Sequence, residues 1–100
     1  MSHAYIISDV QLKDSEAVEL YRTRAAASIA KFGGRYLVRG GEIEVLEGAW
    51  WPSAVIIAEF PDMPTARAWY RSADYATALE VRDAALTRNL ILVEGVDPPA

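Results

Sequence analysis

The chain has 100 residues, one histidine, no cysteine and a formal charge of −4, from 14 acidic side chains against 10 lysines and arginines. This length predicts one domain, residues 1–97, with a tail at 98–100. The negative charge argues against nonspecific nucleic-acid binding, and the lack of cysteine excludes disulfides and thiolate metal sites. No apolar run is long enough for a membrane span and no signal-peptide pattern is present, so we predict a cytoplasmic protein.

The first predicted strand covers residues 3–11, and its segment Ala4-Tyr5-Ile6-Ile7 is apolar on both faces. Asp14 is predicted as the N-cap of a following helix, because a side-chain carboxylate can accept from the unpaired amides there. Apolar side chains then recur at helical spacing on one face. They are Val18, Tyr21, Ala25, Ile29 and Phe32. The Gly33-Gly34 pair predicts the helix end.

The middle of the chain alternates apolar and polar residues twice. Residues 35–39 predict a strand, Gly40-Gly41 follows, and residues 42–47 alternate again. Two interpretations stay open here: a hairpin with a two-residue turn, or a single bent strand with a bulge. Residues 48–52 predict a loop, and residues 53–60 predict the most apolar strand.

The last third of the chain predicts two more helical runs and a strand. Asp62 is predicted to cap the first of these helices, with Pro64 in its first turn. Residues 72–74 predict a break, after which a further helical run ends at Asn89 and residues 90–96 form the last strand. The order predicts an α+β fold of the split β-α-β type, an antiparallel sheet with the helices on one face.

The sheet predicted in this way has too much apolar surface for one chain to cover. Three strands are apolar on both faces, whereas the helices cover only one. Burying each of roughly five to seven uncovered apolar side chains is worth about 1.5–3 kcal/mol, so the sequence predicts a homodimer through the open face. The predicted interface residues are Tyr5, Ile7, Trp50, Trp51, Val55 and Ile57. The alternative is a third layer formed by residues 40–52 of the same chain.

A series of short motifs resembles a family of small bacterial proteins, domain of unknown function 1330. The motifs are Gly33-Gly34-Arg35-Tyr36-Leu37-Val38-Arg39-Gly40-Gly41, Glu47-Gly48, Trp50, Glu59-Phe60-Pro61, Ala68-Trp69-Tyr70, Ser72, Tyr75, Arg82 and Leu92-Val93-Glu94-Gly95-Val96. The resemblance covers Tyr5 to Val96 and implies a ferredoxin-like domain that pairs into a dimeric α/β barrel. It implies no activity, because relatives with this fold include cofactor-free monooxygenases, isomerases and haem enzymes.

Two charged residues in the strands are candidates for ligand binding. Arg39 ends a strand beside two glycines and is predicted either to hold a ligand carboxylate or to pair with an acid of the chain. Glu59 lies in the most apolar strand, where desolvation would raise its pKa and suit acid–base work, unless a salt bridge or water compensates its charge.

Aromatic residues of the helices are the second group of candidates. Trp69 and Tyr75 flank the helix break, and Tyr21 faces the core from the first helix. These side chains predict either core packing or an apolar pocket with Arg82 as its polar anchor. His3 is predicted at the surface. No metal site and no cofactor are predicted, because the chain lacks a cluster of metal ligands and a nucleotide-binding glycine motif.

The sequence therefore predicts a homodimer that binds a small apolar or aromatic ligand with a carboxylate. A cofactor-free isomerase or monooxygenase, with Glu59 or a tyrosine as base, is the alternative, and a protein-interaction module is another. No nucleic acid or membrane is predicted as a partner.

Overall fold

The computed structural model describes residues 2–13 and 15–97. Its strands are β1 (Ala4–Leu12), β2 (Arg35–Arg39), β3 (Ala54–Phe60) and β4 (Leu86–Glu94), and its helices are α1 (Ala17–Lys31), α2 (Met63–Tyr70) and α3 (Ala73–Ala85). The four strands form one antiparallel sheet in the order β2-β3-β1-β4. This is the α+β, ferredoxin-like arrangement that the order of elements predicted.

The helices cover one face of the sheet, and the alternation of each strand decides which residues they bury. Ala4, Ile6 and Val10 of β1 face the helices and are almost inaccessible to solvent. The register pairs Ala4 with Phe60 and Ile6 with Ala58, so the inward residues of β3 join the same core. The opposite face carries no other element of the described chain and is called the open face below. Its apolar residues are Tyr5, Ile7, Val38, Val55, Ile57, Ile91 and Val93.

Capping side chains and a glycine determine where most of the helices begin or end. Asp62 accepts from the amide of Thr65 at 2.8 Å and caps α2, as predicted. Ser72 caps α3 by accepting from the amide of Tyr75 at 3.0 Å. At the end of α1, Gly33 takes the left-handed conformation (φ 74°) that glycine adopts without steric cost. Asp14, the predicted N-cap of α1, lies outside the described residues. No helix within residues 2–13 and 15–97 has the length and hydrophobicity to cross a membrane.

The predicted end of the last helix is wrong. The helix was predicted to continue to Asn89, but α3 ends at Ala85 and β4 begins at Leu86. The reason is pairing with β1, since Leu86 lies opposite Leu12 and the amide of Lys13 donates to the carbonyl of Ala85 at 2.8 Å. A strand therefore replaces a helical turn that the sequence pattern alone favoured.

Residues 40–53 contain no strand, which answers the question left open for the middle of the chain. The alternating residues 42–47 form no hairpin with β2, which is an edge strand of the sheet with β3 as its one neighbour. A register irregularity lies within β2 itself, between Tyr36 and Val38.

Candidate functional site

An aromatic cluster fills the space between the helices and the sheet. The ring of Trp69 lies 5.2 Å from that of Phe60 and 4.2 Å from that of Tyr75, measured between centroids. The indole of Trp69 donates to the hydroxyl of Ser28 at 3.0 Å, so even its polar atom is satisfied inside the core. Trp69 and Tyr75 were predicted to line a pocket or to fill the core, and the structure buries both.

Arg88 of β4 joins this cluster to α1 and α3. Its guanidinium donates to the hydroxyl oxygens of Tyr21 at 2.6 Å and Tyr75 at 2.5 Å. The two tyrosine hydroxyls also lie 2.7 Å apart, within hydrogen-bond distance of each other. The guanidinium carbon lies 5.6 and 5.9 Å from the two ring centroids, within the range of cation–π attraction. These three side chains are called the Arg88 site below.

The charge of the Arg88 site has no acidic counterpart in the described part of the chain. The arginines of the ion pairs there are Arg22, Arg24, Arg35 and Arg82, each within 4.0 Å of a carboxylate, and Arg88 is not among them. Burial raises the pKa of Tyr21 above its ordinary value, so its phenol stays protonated at neutral pH. The site is therefore a partly buried cation with neutral hydrogen-bonding neighbours.

A groove of about 510 Å³ leads from the surface toward the Arg88 site, between α1 and the strands β2 and β3. An inner cavity of about 40 Å³, which Arg88 and Tyr75 line, adjoins it. The groove and the cavity share six lining residues, which are Val10, Tyr21, Ala25, Tyr36, Ile56 and Leu86. Most of these are apolar, so the groove suits an apolar ligand body. It is called the α1 groove below.

Arg39 lies at the mouth of the α1 groove. Its guanidinium carbon is 4.6 Å from the ring centroid of Tyr36, which holds the cation over an aromatic face. Burial raises the pKa of Tyr36 above its ordinary value. Arg39 forms no ion pair with the described acids within 4.0 Å, so the pairing with an acid of the chain that the sequence left open does not occur among these residues.

Glu59 lies across the sheet from the groove, on the open face. Its carboxylate accepts from Arg35 at 3.0 Å and from the hydroxyl of Tyr5 at 3.1 Å, and His3 lies 3.9 Å away. The hydrogen bond from Arg35 holds the pKa of Glu59 below its ordinary value. Of the two alternatives that the sequence left open for Glu59, the structure has the salt bridge, because the strand alternation directs this carboxylate toward an arginine instead of the core.

Arg82 also lies outside the α1 groove. It lines a second groove beside α3 and the edge strand β4, together with Lys13, Tyr70 and Arg88, and its guanidinium pairs with neighbouring Asp83 at 3.3 Å. Of the six predicted ligand-binding residues, the structure thus brings Tyr21, Trp69, Tyr75 and Arg39 to the groove or its inner cavity. Within the described residues, no group of three or more histidine, aspartate or glutamate side chains has the geometry of a metal site.

The predicted interface residues lie on or beside the open face. Tyr5, Ile7, Val55 and Ile57 belong to the face itself. Trp50 and Trp51 are 62% and 76% exposed, and the indole of Trp50 donates to the carboxylate of Asp9 at 3.1 Å. Part of the 40–53 loop therefore reaches one end of the open face. The edge strand β4 stays uncovered on this face, since Ile91 is 56% and Val93 40% exposed.

Sequence reasoning missed Arg88. The signal that could have identified it is the alternation of residues 86–90, in which Leu86 and Leu90 point inward and the residue midway between them must do the same. The polar triplet Thr87-Arg88-Asn89 concealed this pattern, because an inward arginine breaks the expected apolar spacing.

Comparison with known proteins supports the fold and does not supply an activity. The chain is 22% identical to a crystallised protein of unknown function from Rhodopseudomonas palustris, with a TM-score of 0.77 over 97% of this chain and 85% of that one. It is 12% identical to SnoaB, a cofactor-independent oxygenase from Streptomyces nogalater, with a TM-score of 0.62 over 98% and 97% of the two chains. It is 13% identical to a dimeric ferredoxin-like protein of unknown function from Thermobifida fusca, with a TM-score of 0.52 over 93% and 91%.

At these identities the three likenesses establish the shared fold only. None of the curated proteins compared with the chain matches it. The family model described as domain of unknown function (DUF1330) matches residues 3–96, the whole span from before β1 to beyond β4. The resemblance found in the sequence motifs is thereby confirmed, and the chain belongs to the DUF1330 family.

Proposed function

We propose that this protein is a cytoplasmic homodimer in which each protomer binds a small ligand, with an apolar or aromatic body and a carboxylate, in the α1 groove. The observation that carries the proposal is the combination of an apolar groove with an arginine at its mouth that has no acidic partner. Arg39, stacked on Tyr36, presents its charge to the groove without being neutralised by the described chain. A carboxylate is the anion that a guanidinium binds with two parallel hydrogen bonds.

The homodimer is supported by the chemistry of the open face. Isoleucine and valine side chains occupy its centre, and the most exposed of them is Ile91. A two-fold contact between copies would bury this patch against itself, which is the cheapest way to remove it from water. The Thermobifida fusca protein of the same fold is described as dimeric. We include Trp50 and Trp51 in the interface because they border the open face through Asp9.

The ligand proposal is tested with a matched pair of aromatic probes, naphthoate and its neutral amide, in isothermal titration calorimetry. We expect naphthoate to bind at least about fivefold more tightly than naphthamide, since only the carboxylate attracts the guanidinium. In Arg39→Met we expect this preference to disappear while naphthamide binding stays. Arg71→Met, which removes an exposed arginine outside the α1 groove, is the control and should keep the preference. Failure of both probes to bind would contradict the proposal.

A cofactor-free isomerase or monooxygenase is the second candidate, and the Arg88 site is the observation that favours it. Fixed donors aimed at an oxygen can stabilise the negative charge that develops there in a transition state. Glu59 is not the base of such a site, because it lies on the opposite face of the sheet. An enzyme of this kind would accelerate exchange of α-hydrogens of an enolisable aromatic ketone in deuterated water, followed by NMR. A binding protein would leave that rate unchanged.

A protein-interaction module is the third candidate, and its support is the exposure of Trp50 and Trp51. It differs from the homodimer in one respect: the open face would remain accessible in the purified protein. Sedimentation at micromolar concentration separates the two, because the homodimer has twice the 11.0 kDa mass of the chain.

A further inference from the structure

The inner end of the α1 groove has chemistry of its own, beyond the carboxylate binding proposed at its mouth. We propose that the Arg88 site binds the oxyanion of a phenol or enol, and so favours the conjugate base of a planar conjugated ligand over its neutral form. The proposal rests on the α1 groove as the binding site. It involves a proton transfer only: the ligand O–H bond breaks, the proton leaves to water, and the oxygen keeps the electron pair.

The Arg88 site contains more hydrogen-bond donors than acceptors. The two Nη atoms of Arg88 each donate to one tyrosine hydroxyl. In the contact between Tyr21 and Tyr75 only one hydroxyl can donate, so the hydrogen of the other has no acceptor within the site. The guanidinium also carries N–H groups that these bonds leave unused. The site therefore offers more donors than acceptors, and a ligand oxygen would supply what is missing.

The positive charge of Arg88 also favours an anionic ligand. Arg88 stays protonated under all ordinary conditions, and a partly desolvated cation without a counterion is costly. Its neighbours within hydrogen-bond distance are phenols, which are neutral, and their rings attract the cation only weakly. A bound oxyanion would provide the missing counterion in a low-dielectric setting, where charge-assisted hydrogen bonds are strongest. The neutral form of the same ligand would gain only ordinary hydrogen bonds.

The space beside the Arg88 site is large enough for a ligand oxygen. The inner cavity of about 40 Å³ exceeds the roughly 10–15 Å³ that one water molecule requires, so a ligand hydroxyl oxygen fits there. Apart from Arg88, Ser8 and the tyrosines, the walls around it are apolar, with Ile6, Ile56 and Leu90 among them. These walls offer little solvation to an anion, so recognition of its charge falls to Arg88. A flat ligand can thus lie in the α1 groove with its oxygen at the inner end.

The test uses para-nitrophenol, whose anion has a visible absorption that its neutral form lacks, and para-nitroanisole as the neutral analogue that cannot ionise. We expect the wild-type protein to bind the phenolate at least about tenfold more tightly than the phenol, which lowers the pKa of the bound probe by about one unit. Arg88→Met should abolish this preference. Arg67→Met, on the exposed surface of α2, is the matched control and should retain it.

Circular dichroism and thermal unfolding establish that each variant is folded, and Tyr21→Phe provides a second test that keeps the cation. This variant removes one tyrosine hydroxyl and keeps Arg88, so it should weaken phenolate binding less than Arg88→Met does. Equal affinity for both forms of para-nitrophenol in the wild type, or a preference that survives Arg88→Met, would overturn the inference. If para-nitroanisole binds without any phenolate preference, the groove proposal stands and the oxyanion inference fails. If no probe binds, both fail.

Discussion

The two faces of this sheet are made by the same strands and have similar apolar content, yet they differ in how far their side chains are exposed to solvent. On the helix-covered face, Ala4, Ala58 and Phe60 are inaccessible to solvent, and the Arg88 site lies on the same face near the other end of β1, where Val10 is opposite Arg88. On the open face, Ile91 and Val93 keep about half of their surface in water. One chain of this length therefore completes a single core. The covered face can support ligand chemistry, whereas the open face is left for assembly.

The largest expected effect follows from placing a charge on the open face. Ile91→Asp should convert the proposed dimer to monomer, because each protomer would then bury an unpaired carboxylate at a cost of several kcal/mol. The dissociation constant should rise by about 1,000-fold or more. Ile91 is already 56% exposed, so the protomer itself should stay folded. Sedimentation velocity across a concentration series measures the change.

Leu46→Asp is the matched control, since Leu46 is 83% exposed in the 40–53 loop and lies off the strands of the open face. It should leave the dimer intact. An 11.0 kDa particle for the wild type at micromolar concentration would contradict the proposal that the open face forms a homodimer.

An intermediate effect is expected from a change on the helix-covered side. A Cβ atom added to Gly34 would lie 2.8 Å from a methyl carbon of Ile29 and 2.9 Å from the ring of Phe60. Gly34→Ala should therefore lower the free energy of unfolding by about 1–3 kcal/mol, the usual cost of overpacking a core. Urea denaturation in the Ile91→Asp background makes the measurement unimolecular.

Gly41→Ala serves as the control for this substitution, because no heavy atom lies within 4 Å of the added Cβ. Its unfolding free energy should change by less than about 0.5 kcal/mol. Equal effects of the two substitutions would mean that the loop between α1 and β2 is not packed against Phe60 as described.

The smallest expected effect concerns the polar end of the open face. The hydrogen bond from Arg35 lowers the folded-state pKa of Glu59 below its ordinary value of 4.5, so this group stabilises the fold above that pH. The stabilisation should be lost as the pH falls through the lowered pKa. Glu59→Gln should accordingly be less stable than the wild type at neutral pH and converge with it at acid pH, below the lowered pKa of Glu59, measured by thermal unfolding. Glu42→Gln, in the exposed loop, should show no such convergence.

Most of the fold was predictable because its signals are local. The caps at Asp62 and Ser72 depend on side chains that reach amides three residues away, and the glycine that ends α1 depends on its own backbone angles. The doubly apolar strands predicted the sheet and its uncovered face. The end of α3 was mispredicted because pairing of Leu86 with Leu12 on β1, a distant part of the chain, outweighed the helical spacing.

The candidate site was predictable only in part. Tyr21 and Tyr75 lie on helix faces whose period identifies them as inward, and the structure indeed brings their hydroxyls together. The arginine that joins them is not Arg82, as the sequence suggested, but Arg88. The same misread stretch of residues 86–89 concealed both the start of β4 and its inward arginine.

The element types, most of their boundaries, the family and the surplus of apolar strand surface could be read from the amino-acid sequence, because each depends on residues close together along the chain. The tertiary structure alone decided what each charged side chain meets. Arg88 points inward by the alternation of β4, and there Tyr21 and Tyr75, 67 and 13 residues away, accept its hydrogen bonds. Glu59 points outward because the register of β1, β2 and β3 sets it beside Tyr5 and Arg35. Contacts between distant residues decide whether a charge is desolvated, and desolvation decides its chemistry.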